Sequence, residues 1–334
     1  MSDYDSFISR TDASTYLLPD QQSKEIIEAL PTNSFCLGKM KRLPPINAAT
    51  YKIPMINAFP TAYFTTEVAG SRGATNTKKA TDMSWSGVTM YIEEIAVIVP
   101  VPESVIADMA SQNFDLWGMV KPRLIEAAGK LIDQAILYDN AGSIAPANWP
   151  DGIVTQSIAK GNSIDVSSQI GSGLTFADLY DGLLADNGLF SLVEQDGYLV
   201  NGALAAISMK GKLRGLRSSD GVPIFTTDMK QANRYLLDGA PLDFPNNGAF
   251  DPAKSLLVAG DWSQAVYGIR QDITWKIATE ASIHDSSGNL VYNLFQDDMV
   301  ALRMTMRMGW ALPNPKNLVN QTDATRFPFA VLVP

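Results

Sequence analysis

Residues 114–138 read FDLWGMVKPRLIEAAGKLIDQAILY, and their pattern decides how the rest of the chain is arranged. Trp117, Val120, Leu124, Ala128, Leu131 and Ala135 recur at steps of three and four, with Lys121, Arg123, Glu126, Lys130 and Asp133 on the other side. That spacing predicts one amphipathic helix. About 24 residues at 1.5 Å each make a rod of roughly 36 Å, longer than most globular helices. Pro122 removes one donor and crowds the carbonyl of Gly118, so a kink or a late helix start is expected there. A stripe this long needs a broad surface to lie on. Residues 89–101, before the helix, and 299–310, far beyond it, both alternate as strands do. A sheet drawn from both sides of the helix in sequence, with the helix laid across it, is the expected core.

The clearest strand follows Met299. Val300, Leu302, Met304, Met306 and Met308 alternate with Ala301, Arg303, Thr305, Arg307 and Gly309, the signature of a half-buried strand. Residues 89–101 end in VPVPES and lead into a short helix at 104–110. Upstream, residues 43–60 read LPPINAATYKIPMINAFP, and Pro44, Pro45, Pro54 and Pro60 argue against a helix or a central strand. An extended arm lying over a surface is expected. Residues 61–68, TAYFTTEV, alternate as a strand, and the polar run 69–87 that follows offers no apolar face to bury. Together with residues 89–92 they predict a protruding hairpin. Residues 1–22 lack periodicity and are expected to be flexible, with a short helix over 21–30.

Beyond the long helix, residues 139–153 form a Gly/Pro/Asn loop. From about residue 171 short elements alternate. Helices are expected at 176–184 and 203–213, and strands at 198–200, 224–226, 240–244 and 255–259, without a regular βαβ period. A second hairpin is expected from 271–281 and 290–294, turned at Asp285–Gly288.

The 334 residues carry a formal charge of −9 and a sequence pI near 4.7. No Lys/Arg run stands out, which argues against a dedicated duplex-binding surface. The lone cysteine, Cys36, excludes an internal disulfide framework and a multi-cysteine metal site. The polar, acidic opening is not a secretory signal, and no apolar run is long enough to span a membrane, so a cytoplasm-like compartment is expected. The only histidine, His284, sits in the turn SIHDSSGN and reads as solvated rather than catalytic. Residues 70–81 share only composition with a phosphate loop, and Glu93-Glu94 and Asp297-Asp298 do not select a catalytic pair. No residue pattern points to catalysis, and no cofactor or metal is expected.

The order of parts is distinctive: an arm, a long two-stranded loop, a strand leading into a long helix, a mixed insert and a return strand. With IEEIAVIVPVPESVIAD (92–108), GDWSQAVYGIRQDITWKI (260–277) and FQDDMVALRMTMRMGWALPNPKNLV (295–319), it resembles the major capsid proteins of tailed bacteriophages with the Hong Kong 97-type fold. The resemblance covers roughly residues 40–334 and implies an α+β chain. Its implied parts are an N-terminal arm (1–59), an E-loop hairpin (60–92), a P-domain with its spine helix on an antiparallel sheet (93–170), an A-domain (171–267), P-domain return strands (268–316) and a C-terminal segment (317–334). It implies a non-enzymatic subunit of pentamers and hexamers in an icosahedral shell around double-stranded DNA, touched only non-specifically. Subunit contacts are then expected from Arg72, Lys78, Lys79 and Trp85 on the E-loop and from Tyr51, Ile53 and Met55 on the arm. Some family members join an E-loop lysine to a P-domain asparagine with the help of a glutamate. Lys78 and Lys79 are available here, but the asparagine position falls at Asp298 and the glutamate position at Thr305, so a non-covalent shell is expected. The short N-terminus leaves no room for a fused scaffold, which implies either a separate scaffolding protein or an N-terminal piece already removed, with a portal and a decoration protein as further partners, assembling in the host cytoplasm. Three other readings stand beside this one: an encapsulin-type compartment shell of the same fold, a carboxylate-dependent hydrolase, for which no acid pair is nominated, and a monomeric phage accessory protein, which would leave the polar hairpin without a neighbour to rest on.

Overall fold

A computed structural model describes residues 33–62, 80–111, 116–166, 170–171, 174–175, 179–216, 235–285 and 287–334. Near the start of the described chain Ser34 caps helix α1 (Phe35–Lys39), its Oγ accepting the Leu37 N–H at 3.1 Å. Strand β1 (Lys41–Arg42) follows, then β2 (Thr50–Ala58), β3 (Ser84–Tyr91) and β4 (Glu93–Pro102). Helix α2 (Glu103–Ser111) leads into α3 (Leu116–Tyr138), the long helix. The middle of the chain holds α4 (Ile153–Lys160), β5 (Ser163–Asp165), β6 (Ile170–Gly171), β7 (Leu174–Thr175), α5 (Leu179–Leu184) and α6 (Leu189–Gln195). Then come β8 (Gly202–Ala205), α7 (Met209–Gly215), β9 (Tyr235–Leu237), β10 (Ala240–Asp243) and β11 (Leu257–Gly260). The last strands are β12 (Val266–Ala278), β13 (Ser282–His284), β14 (Leu290–Asn293), β15 (Met299–Ala311) and β16 (Phe329–Val333).

The first sheet runs β1-β12-β15-β4, antiparallel except for the parallel β1–β12 pair. Val300, Leu302, Met304, Met306 and Met308 of β15 are all buried, in one cluster with Trp117, Leu124, Ile125, Ala128, Ile132, Ala135 and Ile136 of α3. The helix therefore lies on a sheet built from both sides of it in sequence, as its periodicity predicts. Each fully buried Leu, Ile or Met side chain contributes about 1.5–3 kcal/mol relative to exposure, so this contact dominates the core. Two positions on the helix differ from the sequence reading. Leu131 is 42% exposed, and Asp133 is buried at 1%. The buried stripe is rotated toward Ile125, Ile132 and Ile136, because a second surface, α1, covers the side on which Asp133 lies. Pro122 is inside the second turn, and the assigned helix continues through it.

The hairpin is not the one expected from the sequence. β3 pairs with β2, in register from Thr50↔Tyr91 to Ala58↔Ser84, so the first strand lies within the Pro-rich stretch 43–60. Pro54 is tolerated because β2 pairs with no other strand among the described residues, leaving its outer edge free of ladder bonds. Residues 61–62 are not in a strand, and 63–79, with most of the expected tip, lie outside the described residues. At the base of this ribbon, Met90 and Ile92 pack with Ile46, Val266 and Ala311, flanked by Ile53 and Val88. Gly268 and Gly309 face each other across β12 and β15 there. A Cβ on Gly309 would collide with the Tyr91 carbonyl, and one on Gly268 with the Ile46 side chain. The two glycines form the notch in which the ribbon is seated.

A second sheet, β7-β6-β5-β16-β11-β8-β10-β9, encloses a separate core with α6 and α7. Residues 203–205, expected in a helix, form β8, and α7 begins only at Met209. β8 pairs on both sides, parallel with β10 and antiparallel with β11, so it is an uninterrupted buried run whose alanines read as helix formers in isolation. Residues 198–200 are not in a strand, and 224–226 lie outside the described residues. The last residues return as β16, between β5 and β11. In the lower hairpin β13 pairs with β14, while Gln271–Ala278 belong to β12.

The glycine notch gives a direct test. Gly309→Ala is expected to destabilise the chain by about 1–3 kcal/mol in urea titrations, because backbone occupies the space a methyl needs. Gly211→Ala in α7, where a Cβ meets nothing within 4 Å, is expected to stabilise it by about 0.4–1 kcal/mol.

Candidate intersubunit surfaces and the joints that hold them

The alternation of β2 and β3 gives the ribbon two different faces. Tyr51, Ile53 and Met55 share one with Met90, Val88 and Ser86, their register partners. Toward the base this face is covered by the subunit itself, since Ile53 and Val88 pack on the Ile46–Met90 cluster. Tyr51 is exposed and Met55 half-buried. On the other face Trp85 stands opposite Ile56 and is 65% exposed. A tryptophan so exposed on a two-stranded ribbon is a candidate contact residue, because indole rings bury large areas at interfaces with little loss of side-chain freedom. Arg72, Lys78 and Lys79, the other expected contact residues of the hairpin, lie outside the described residues.

A buried carboxylate joins three parts of the chain. Asp133, in the C-terminal third of α3, accepts the Ser34 hydroxyl at 2.5 Å, the Phe35 and Cys36 N–H groups at 3.0 and 3.2 Å, and the Asn247 side-chain amide at 2.6 Å. One side chain thus fixes the start of α1, the long helix and the loop after β10. Lys39 reinforces the joint by pairing with Asp243 of β10 at 2.6 Å. Burial pushes the Asp133 carboxyl above the usual carboxylate range, although its hydrogen bonds pull the other way. Cys36 beside it is fully buried, and burial holds its thiol well above the ordinary range, which makes it an unreactive packing residue. Sequence reading placed Asp133 on the solvated face. Its partners come from residues about 100 positions away in either direction, and only the Ser34 cap carries a local signal.

A second polar joint ties the final segment to the α6 end of the second sheet. Arg326 is buried and donates to the carbonyls of Asn314 and Asn320, each at 3.1 Å, and to Asp323 at 2.7 Å. Asp196, just after α6, accepts the Phe327 N–H at 2.9 Å and the side-chain amides of Asn162 and Asn320 at 2.8 and 2.7 Å. These bonds set the course of residues 314–327 before β16 begins.

The positions relevant to a cross-link are also in view. Asp298 is exposed in the turn before β15, with φ of 49°, and its carbonyl accepts the Glu103 N–H at 2.8 Å. Thr305 is buried, its hydroxyl 2.7 Å from that of Thr274 on β12. His284 is exposed at the end of β13. Among the described residues no group of three His, Cys, Asp or Glu side chains could hold a metal ion, and no helix is long and apolar enough to cross a membrane.

The raised Asp133 pKa has a signed consequence. The folded state holds this proton more tightly than the unfolded state. The cost of the buried charge is therefore present above the raised value and is relieved as pH falls through it. Asp133→Asn is expected to remove this contribution from the pH dependence of unfolding, visible as a wild-type-minus-variant difference just above the ordinary carboxylate range. Asp133→Ala is expected to cost about 3 kcal/mol at neutral pH in denaturant titrations, since it orphans several buried donors.

The phage capsid family matches residues 14–320 of this chain. A major capsid protein of Staphylococcus phage 80alpha is 27% identical over 313 residues, spanning 92% of this chain and 86% of that protein. A solved chain from Microbacterium phage Oxtober96 superposes with a TM-score of 0.73 at 34% identity, over 90% of this chain and 91% of the other. One from Mycobacterium phage Adephagia does so with 0.72 at 26% identity, over 90% of each. This is a family of structural proteins rather than enzymes, which sets aside the hydrolase reading. The seated ribbon, the long helix on its sheet and these matches lead to one conclusion: the chain belongs to the phage capsid family, as a major capsid protein of a tailed bacteriophage.

Proposed function

We propose that this protein builds an icosahedral head shell of pentamers and hexamers that encloses double-stranded DNA. The observation that carries this reading is the ribbon: a base locked into the Gly268–Gly309 notch, and a face bearing a largely exposed Trp85. Such a projection buries its apolar surface only against another molecule, and repetition by symmetry turns modest contacts into a stable closed shell. In Hong Kong 97-type terms, the ribbon with residues 63–79 acts as the E-loop, α3 with the first sheet as the P-domain, and the second sheet as the A-domain. Arg72, Lys78, Lys79 and Trp85 contact a neighbouring copy from the E-loop, and Tyr51, Ile53 and Met55 from β2. Assembly takes place in the bacterial cytoplasm with a separate scaffolding protein and a portal, and a decoration protein is compatible with the finished surface. The net charge of −9 suits a container that touches its DNA only non-specifically.

The shell is proposed to be non-covalent. An isopeptide bond needs an amide-bearing acceptor and a nearby carboxylate to move the proton. The corresponding positions hold Asp298, an acid, and Thr305, whose hydroxyl is engaged with Thr274. Assembled shells boiled in detergent are expected to run as a single band near 36 kDa, whereas a ladder of multimers would contradict the non-covalent shell.

Deleting residues 70–81 is expected to leave the subunit folded, with an unchanged thermal midpoint, yet unable to close shells by sedimentation. Trp85→Ala is expected to raise the concentration needed for assembly by about tenfold or more, in line with loss of an interface hot spot. Normal heads from both variants would remove the ribbon from the interface.

A further inference from the structure

One face of the first sheet is covered by α3; the other is covered at one end by the base of the ribbon and at the other by the β13–β14 hairpin, and is open between them. Its cross-strand rows can be read from the register. Gln271, Arg307 and Glu94 form one row, in which Arg307 pairs with Glu94 at 2.6 Å. Thr274, Thr305 and Ala96 form the next, with the two hydroxyls bonded. Ala278, Ala301 and Pro100 form an apolar row at the far end, packed beside the β13–β14 hairpin. The remaining row is Lys276, Arg303 and Ile98. It places two cations directly opposite each other, about 4.5–5.5 Å apart at Cβ, an arrangement that destabilises a sheet unless an anion answers it. Lys276 and Arg303 are both exposed, Ile98 beside them is 46% exposed, and no ion pair among the described residues includes either cation. Three rows are complementary within the chain, and this one is not.

We propose that the Lys276–Arg303–Ile98 row is the docking site for the acidic N-terminal segment, residues 1–32, of a neighbouring copy. The chemistry of the segment matches the row. It carries six acidic residues against two basic ones, and residues 25–28 read Glu-Ile-Ile-Glu, two carboxylates bracketing two apolar side chains. A row of two cations beside an exposed isoleucine asks for that combination. The stretch 63–79, with Arg72, Lys78 and Lys79 against Glu67, has the sign of the row itself and would be repelled. A phosphate backbone would satisfy the charges but leave Ile98 uncovered. The segment comes from another copy because of where it joins. Asn33 lies beside Asn247 and the Asp133 joint, on the helix-covered side, while the row faces away from the helix. The inference rests on the shell reading above and adds a specific contact to it.

The test is a charge exchange in the full-length protein. Lys276→Glu with Arg303→Glu is expected to raise the assembly threshold by about tenfold or more, with the effect shrinking at 1 M salt. Adding Glu25→Lys and Glu28→Lys to the same chain is expected to bring the threshold back to within about threefold of wild type, because each reversed row then meets a reversed segment. Chains reversed only in the row, mixed with chains reversed only in the segment, are expected to co-assemble at a lower threshold than either assembles alone, because each row in the mixture then finds a segment of opposite sign. In wild-type shells without DNA, Lys276 is expected to resist acetylation that modifies it in free subunits. No loss on row reversal, or a loss that the segment reversal does not repair, would overturn the assignment while leaving the shell reading intact. Protection of Lys276 only in DNA-filled shells would give the row to nucleic acid and also overturn it. A wild-type protein that never assembles would remove both.

Discussion

The structure depends on one contact: the apolar stripe of α3 laid on the inward residues of β15, between β12 and β4. The helix comes from the first half of the chain and the two central strands from its last third, so the chain must leave this core and return to it. Those excursions are the molecule's other parts. Leaving after α3, the chain builds the second sheet, and it comes back through β11 and β12. Before reaching the helix it rises into the β2–β3 ribbon, whose base re-enters the core edge at the Gly268–Gly309 notch. Polar joints at Asp133 and Arg326 then fix the excursions to the core at angles that apolar contact alone would leave free.

What could be read from sequence, and what could not, follows from the range over which each feature is determined. The helix and β15 carry their own periodicity over 20 and 10 or so residues, so their pairing was legible. The ribbon was only half legible. Pro54 in β2 argues against a central strand, and the structure agrees, but an edge in a two-stranded ribbon is the exception that permits it. β8 was misread because four small or apolar residues hold no preference until two neighbours pair with them. Asp133 was the deepest miss. An aspartate off the stripe reads as solvated, and nothing near it in sequence announces that residues 34–36 and Asn247 converge on it.

The surfaces relevant to assembly are the places where the isolated subunit is incomplete. Trp85 exposes most of its indole, and one row of an otherwise complementary sheet face sets two cations side by side. Neither feature stabilises a lone subunit. In the shell proposed above, both become favourable when another copy supplies an apolar surface and an acidic one.

The most direct measurement is electron microscopy of the purified full-length protein after size-exclusion chromatography, alone and with its candidate scaffold. The account requires pentamers, hexamers or closed polyhedral shells tens of nanometres across. A 36 kDa monomer under every condition, with the ribbon facing solvent, would contradict it.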